Sequence, residues 1–181
     1  NIMNYSDILD FWFHSDTQAY WFAKNDDFDE LINQKFQDIH HQAAQAELWS
    51  WRKSAEGRLA EVIILDQFSR NLFRDQAQAF AQDTLALALA QQAIDLGVDQ
   101  HLSPEQRAFL YMPFMHSESK LIHEFGLKLF QQLGLPIGLD YEKKHKVIID
   151  RFGRYPHRNQ ILARTSTAEE LEFLTQPNSR F

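Results

Sequence analysis

The chain contains 181 residues, of which 44% are hydrophobic, and it carries a formal net charge of −7. This length predicts one domain, residues 1–181, and the hydrophobic content excludes an intrinsically disordered chain. The negative charge argues against a protein that binds nucleic acid through its phosphate backbone.

The amino-acid composition narrows the class further. The sequence contains no cysteine, which excludes disulfides, thiolate nucleophiles and cysteine-bound zinc and fits a reducing compartment. The chain does not open with a basic segment followed by an apolar one, and its apolar runs are short. We therefore expect a cytoplasmic protein that is neither secreted nor inserted in a membrane.

Apolar residues recur at helical spacing along the chain, and no segment alternates with a period of two for long enough to predict a strand. Six Gly and five Pro also leave little material for the turns of an all-β fold. The predicted fold class is all-α, a single-domain array of antiparallel helices. In chain order, helices are predicted after Ser6, from Phe28 to about Ala46, from Leu59 to Arg74, from Phe80 to Leu96, after Ser103, from about Leu121 to Gly134, from Tyr141 to Phe152 and after Thr167.

The stretch from Leu59 to Arg74 is the most apolar of these predicted helices. Its hydrophobic residues cover nearly every side, which predicts a buried helix. Asp66, Arg70 and Arg74 recur every four residues and therefore project from the same side as Leu59. Burial of an unpaired charge is prohibitive, so Asp66 and Arg70 are predicted to pair with each other or with groups from elsewhere in the chain.

Some boundaries of the later helices have specific signals. Ser103 stands three residues before Gln106, a spacing that predicts a capping box at a helix start. Pro113 should kink that helix or make it restart. Residues 136–140 are predicted to form a loop.

Three motifs stand out along the chain: LDQFSRNLFR at 65–74, YMPFMHSE at 111–118 and RFGRYPHRN at 151–159. Together they closely resemble the bacterial family catalogued as domain of unknown function 924. The resemblance runs from about Ile8 to Phe173 and implies an all-helical, tetratricopeptide-like fold, but no activity. Two positions depart from the family pattern: Ser69 stands where Pro is common, and Ala163 where Gly is common. Because the family commonly has Pro at the position of Ser69, the resemblance implies that the helix bends there, which would move Arg74 off the face it shares with Asp66.

Polar residues cluster within the three motifs, and the segment from Lys143 to Arg164 carries seven basic residues against one acid. If the motifs converge, they form a pocket for an anionic small molecule, because guanidinium groups bind carboxylate or phosphate bidentately. His116 or His157 could move protons there, with Glu118 or Asp66 orienting the imidazole. The predicted ligand-binding residues are Gln67, Arg70, Asn71, Arg151, Arg154, Arg158 and Asn159.

Two patterns that suggest a metal site are rejected. His40 and His41 have no acidic or i+4 partner and are predicted to face solvent at a helix end. His116 and Glu118 are two residues apart and cannot share a helix face. We assign no metal ligands, and the sequence identifies no cofactor.

A second hypothesis remains open beside the pocket. Arrays of helices are often tied together by buried arginine–carboxylate pairs, so the polar residues could be purely structural. The chain would then be a tetratricopeptide-like module that binds a protein or peptide in a groove between helices. Exposed aromatic residues near Trp12, Trp21 and Trp49 would be its contacts. The sequence does not decide whether the protein is an enzyme.

Overall fold

The computed structural model describes residues 2–181, apart from the side chain of Ile137. These residues contain helices and turns but no β-strand, so the predicted all-α class is confirmed, whereas the single-domain organisation of residues 1–181 stays a prediction. Within residues 2–181, no helix has the length and apolar character needed to cross a bilayer. The α-helices are α1 (Tyr5–Trp12), α2 (Ser15–Gln18), α3 (Asp26–Ala44), α4 (Ala55–Ile63), α5 (Ser69–Leu72), α6 (Asp83–Asp95), α7 (Pro104–His116), α8 (Lys120–Leu133), α9 (Pro136–Phe152) and α10 (Ala168–Phe173).

Helix α4 lies at the centre of the hydrophobic core. Leu59, Val62 and Ile63 are completely buried, as are Ile64 and Leu65 directly after the helix. Helix α4 contacts α1, α6 and α7, so apolar side chains on several of its sides find another helix to pack against. The predicted burial of this stretch is therefore confirmed. Each large apolar side chain removed from water here stabilises the fold by roughly 1.5–3 kcal/mol.

The helix predicted from Leu59 to Arg74 is not continuous. A π-helical turn, Ile64–Phe68, separates α4 from α5, and α5 ends two residues before Arg74. Arg74 therefore lies outside the helix and pairs with Asp29 of α3, with Nε 2.6 Å from Oδ2. It does not share a face with Asp66, as a regular helix would require.

Of the boundaries predicted for the later helices, one is confirmed and another is wrong. The capping box at the start of α7 is confirmed, because the side chains of Ser103 and Gln106 each accept from the other's backbone N–H. The loop predicted at 136–140 is wrong, since α9 begins at Pro136. Proline suits the first turn of a helix, where its missing N–H would have no helical acceptor. Helix α7 also continues through Pro113 without restarting.

Predictions for the N-terminal third were partly wrong. Asn4, and not Ser6, caps α1, because its side chain accepts from the backbone N–H of Ser6. Of the three tryptophans near which exposed aromatic contacts are predicted, Trp12 is itself only 1% exposed, because its ring belongs to the core. Trp21 is partly buried, and Trp49 does lie at the surface.

His40 is buried in α3, contrary to the prediction that it faces solvent. Its Nε2 lies 2.8 Å from the hydroxyl of Ser69, so the imidazole connects α3 to the start of α5. The packing of α5 against α3 covers this face of the helix, a contact that local sequence does not reveal. Burial, assisted by the neighbouring His41, lowers the pKa of His40 to about 4.

The stability of the protein should fall as the pH is lowered from 6.5 to about 4. In this range His40 takes up a proton in the unfolded chain but stays neutral in the folded protein, so acid favours unfolding. Between pH 6.5 and pH 4 the free energy of unfolding should fall by on the order of 2–3 kcal/mol less in His40→Gln than in wild type. The control is His41→Gln at the exposed neighbouring position, which should show most of the wild-type fall. Urea unfolding across this pH range measures the effect, and equal slopes for wild type and His40→Gln would contradict it.

Candidate functional site

The completely buried carboxylate of Asp66 lies at the centre of the candidate site. Its Oδ1 is 2.7 Å from Nδ1 of His116, at the end of α7, and Nδ1 donates this hydrogen bond because an ionised carboxylate can only accept. Its Oδ2 accepts from the amide of Gln67 at 2.9 Å. Nε2 of His116 has no hydrogen-bond partner within residues 2–181 and is not sealed from solvent. That nitrogen is free to exchange a proton with a ligand.

The π-helical turn Ile64–Phe68 positions Asp66. Directly after it, the hydroxyl of Ser69 donates to the carbonyl of Leu65 at 2.5 Å and also contacts the imidazole of His40. The bend predicted near Ser69 stays a prediction; the structure has this wide turn directly before Ser69, and no proline produces it. Short π-helical segments within α-helices are frequent at functional sites, because they change the direction in which a side chain points.

Arg70 joins Asp66 to a second carboxylate. Its Nη1 lies 3.6 Å from Oδ1 of Asp66 and donates to the backbone carbonyl of the same residue at 2.8 Å. The guanidinium also forms a bidentate pair with Asp83, in the first turn of α6, at 2.9 and 3.0 Å. Charge-assisted bidentate pairs are among the stronger hydrogen bonds in proteins. Arg70 therefore holds the two carboxylates in place.

Arg158 is buried but only partly paired. Its Nη2 donates to the backbone carbonyl of His116 at 3.1 Å. Its Nη1 lies 3.9 Å from an oxygen of Asp83 and 3.9 Å from an oxygen of Glu118, too far for a hydrogen bond to either. The guanidinium carbon lies 4.4 and 4.6 Å from the centroids of two flanking aromatic rings, which fix its plane.

Arg164 is the last member of the series of charges, and it pairs with Glu118. The two residues form a bidentate pair at 2.9 and 3.0 Å, and Glu118 also accepts from the backbone N–H of Tyr155 at 2.7 Å. Three carboxylates thus alternate with three guanidinium groups, and their formal charges balance. We call this series the charge network, and its members are Asp66, Arg70, Asp83, Arg158, Glu118 and Arg164.

A cavity of about 310 Å³ opens beside the charge network. This volume is at the lower end of the range for small-molecule sites, roughly 300–1,000 Å³. Titratable groups and apolar side chains both contribute to its wall, as is usual for a binding site. The wall consists of Ala77, Phe80, Ala81, Asp83, Thr84, Leu87, Pro113, His116, Ser117, Glu118, Arg158 and Leu162.

The Asp66–His116 pair has the protonation state of a general base. Burial lowers the pKa of His116, and the charge of Arg70 lowers it further, outweighing the opposite effect of Asp66. Burial opposes ionisation of Asp66, but His116 and Arg70 outweigh it and hold the pKa of this carboxyl below its ordinary value. At neutral pH the pair is therefore a carboxylate beside a neutral imidazole.

A family model described as "Bacterial protein of unknown function (DUF924)" matches residues 8–178. The chain belongs to this family. It is also similar to a solved structure, that of ATU0120, a protein of unknown function from Agrobacterium tumefaciens, with 42% sequence identity and a TM-score of 0.89. That match covers 94% of this chain and 96% of the other. No protein with a curated function matches significantly. The resemblance carried by the three motifs is confirmed.

The three motifs of this DUF924 chain converge at the charge network. The first motif contributes groups from the π-helical turn and α5, the second from the end of α7 and the residues that follow, and the third from the turn after α9. Each of these side chains makes a hydrogen bond or ion pair with another motif or with a neighbouring residue of its own motif. The predicted site residues that meet here are Asp66, Gln67, Arg70, His116, Glu118 and Arg158.

Three other predicted ligand-binding residues lie away from the cavity wall. Asn71 donates to Asp29 of α3 at 2.9 Å. Arg151 and Arg154 both pair with acids of α10, at 2.9 and 2.7 Å. These contacts tie elements of the fold together, and a ligand-binding role for the three residues stays a prediction.

Asn159 and His157 lie close to the charge network without lining the cavity. Asn159 accepts from Nε of Arg164 at 3.0 Å and so helps to position that guanidinium. Nδ1 of His157 is buried and has no hydrogen-bond partner among the described residues. Burial and the charge of Arg158 lower the pKa of His157 to about 4. A catalytic role for His157 stays a prediction.

Sequence reasoning missed Asp83 and left Arg164 out of the site. Asp83 stands in the first turn of α6, where an acid is common because it interacts favourably with the helix dipole. Arg164 was counted only as part of a basic segment. One signal pointed to Asp83: a buried Arg70 requires acidic partners, and its own motif supplies only Asp66.

Proposed function

We propose that the cavity beside the charge network binds a small molecule through an anionic group, with Arg158 as the main contact. One observation supports this best: Arg158 is 5% exposed, yet its Nη1 makes no hydrogen bond within the described residues. The other two arginines of the network each form a bidentate pair. Nε of this guanidinium is sealed from solvent without a hydrogen-bond partner among residues 2–181, whereas Nη1 is open to solvent. An oxygen atom of a ligand in the cavity would therefore accept from an N–H of Nη1, the donor that no protein group uses.

His116 gives the proposed site acid–base capacity. It lines the same cavity, and because Nδ1 is turned toward Asp66, Nε2 is the nitrogen available to a ligand. A proton removed from a bound ligand would move to Nε2, and the resulting imidazolium would be stabilised by Asp66. Asp66 is then a positioning residue, and His116 the group that touches the substrate. We also propose that the ligand is found in the cytoplasm, because a sequence without cysteine fits a reducing compartment.

Thermal unfolding with candidate ligands tests this proposal. We would use acetate, citrate, inorganic phosphate, glycerol 3-phosphate and the standard amino acids as probes. At a concentration on the order of 100 Kd, a ligand should raise Tm by about 5 °C or more. Arg158→Gln should abolish the shift relative to its own ligand-free Tm. Arg151→Gln, which removes an exposed arginine outside the cavity, should leave it unchanged.

Two results would contradict the proposal. The first is a Tm that no probe raises, and the second is a shift that Arg158→Gln preserves in full. The first result would favour the alternative, in which the charge network only ties helices together and the protein is a tetratricopeptide-like module for a peptide or protein partner. The second would mean that the ligand binds without contacting Arg158.

A further inference from the structure

Negative charge flanks the open donor of Arg158 on both sides. Nη1 lies 3.9 Å from a carboxylate oxygen of Asp83 and equally far from one of Glu118. An anionic group that binds Nη1 must therefore approach two carboxylates closely. Like charges at such distances repel each other even at the effective dielectric of a protein surface. A ligand that carries only negative charge is consequently disfavoured at this position.

The same two carboxylates have acceptor capacity to spare. An ionised carboxylate offers about four lone-pair sites. Asp83 uses two of them, both for Arg70. Glu118 uses three, two for Arg164 and one for a backbone N–H. Both carboxylates line the cavity, so a positively charged donor on the ligand would find acceptors next to Arg158.

We infer that the ligand of this cavity is a zwitterion of amino-acid type, with its carboxylate on Arg158 and its ammonium group on Asp83 and Glu118. The inference rests on the proposed function of the site and names its ligand class. A zwitterion has no net charge and therefore matches a charge network whose own charges balance. The apolar part of the wall, which includes Phe80 and Leu162, would receive the ligand's side chain, and about 310 Å³ is enough volume for a molecule of this size.

Matched sets of ligands test the inference on the wild-type protein. Thermal unfolding first identifies which of the twenty standard amino acids stabilises the full chain most. Calorimetric titration then compares that amino acid with its deaminated analogue, a plain carboxylate, and its decarboxylated analogue, a plain amine. The amino acid should bind at least tenfold more tightly than either analogue, because only the zwitterion satisfies Arg158 and the carboxylates together.

The outcomes separate this inference from the proposed function. If the plain carboxylate binds as tightly as the amino acid, the anion site stands and the zwitterion inference is overturned. Equal binding of the plain amine also overturns the inference, because Arg158 would then contribute nothing. If no amino acid and no simple anion binds, both fail together.

A pair of variants tests the role assigned to Glu118. In Glu118→Gln the preference for the amino acid over its deaminated analogue should fall at least fivefold, since one acceptor for the ammonium group loses its charge. Glu169→Gln, which neutralises a surface acid paired with Arg151, should keep the wild-type preference. Calorimetry is done at a temperature where circular dichroism shows both variants folded. An unchanged preference in Glu118→Gln would overturn the assignment of the ammonium group to this carboxylate.

Discussion

Replacing Asp66 by alanine should lower the free energy of unfolding by about 3 kcal/mol at neutral pH. The carboxylate is completely buried and accepts from His116 and Gln67 while facing Arg70. Loss of one partner of a buried ion pair costs roughly 3–5 kcal/mol. We expect the lower end of that range, because Arg70 keeps its bidentate pair with Asp83. Urea unfolding monitored by circular dichroism measures the difference.

The loss caused by Asp66→Ala should depend on pH in a defined direction. Since the pKa of Asp66 is depressed in the folded protein, its stabilising contribution is present above the unfolded value of 3.8 and is lost as the pH falls through the folded value. The gap between wild type and variant should therefore narrow below about pH 4. Asp10→Ala, at an exposed position, is the control and should change stability by less than about 0.5 kcal/mol. An unchanged or increased stability in Asp66→Ala would show that Asp66 is kept at a cost to folding, as functional residues often are.

The central part of the site could be predicted because its residues conflict with their surroundings. Asp66 and Arg70 are charged residues in an apolar stretch, and that conflict alone predicts partners from elsewhere in the chain. The motifs around His116 and Arg158 supplied candidates of suitable chemistry. The structure does bring these residues together, because α7 packs against α4 and the turn after α9 lies beside the end of α7.

The remaining parts of the site could not be predicted, because they depend on tertiary contacts. Asp83 looks like an ordinary first-turn acid until α6 places it opposite Arg70. The π-helical turn that positions Asp66 leaves no signal in hydrophobic periodicity, which a regular helix would satisfy equally well. Ala163 is a contrasting case. Its φ of 53° lies in the left-handed region, which explains why glycine is common there in the family that the chain resembles.

A second buried ion pair, outside the candidate site, should give an even larger loss of stability. Glu61 of α4 is completely buried, and Arg52 is its bidentate partner at 2.8 and 2.7 Å. Arg52 is partly exposed, so removing it leaves a buried carboxylate without its partner. Arg52→Ala should therefore lower the free energy of unfolding by roughly 3–5 kcal/mol at neutral pH, as measured by urea unfolding.

The origin of this loss can be separated from simple truncation of the arginine side chain. Lys53→Ala removes an exposed charge from the next residue and should cost less than about 0.5 kcal/mol. Arg52→Lys keeps the charge but not the bidentate geometry, so it should lose an intermediate amount. Because the penalty in Arg52→Ala comes from an unpaired negative charge, it should shrink when the same substitution is made in Glu61→Gln, whose side chain is uncharged. A loss of the same size in both backgrounds would mean that Arg52 stabilises the fold through packing of its aliphatic chain and not through its charge.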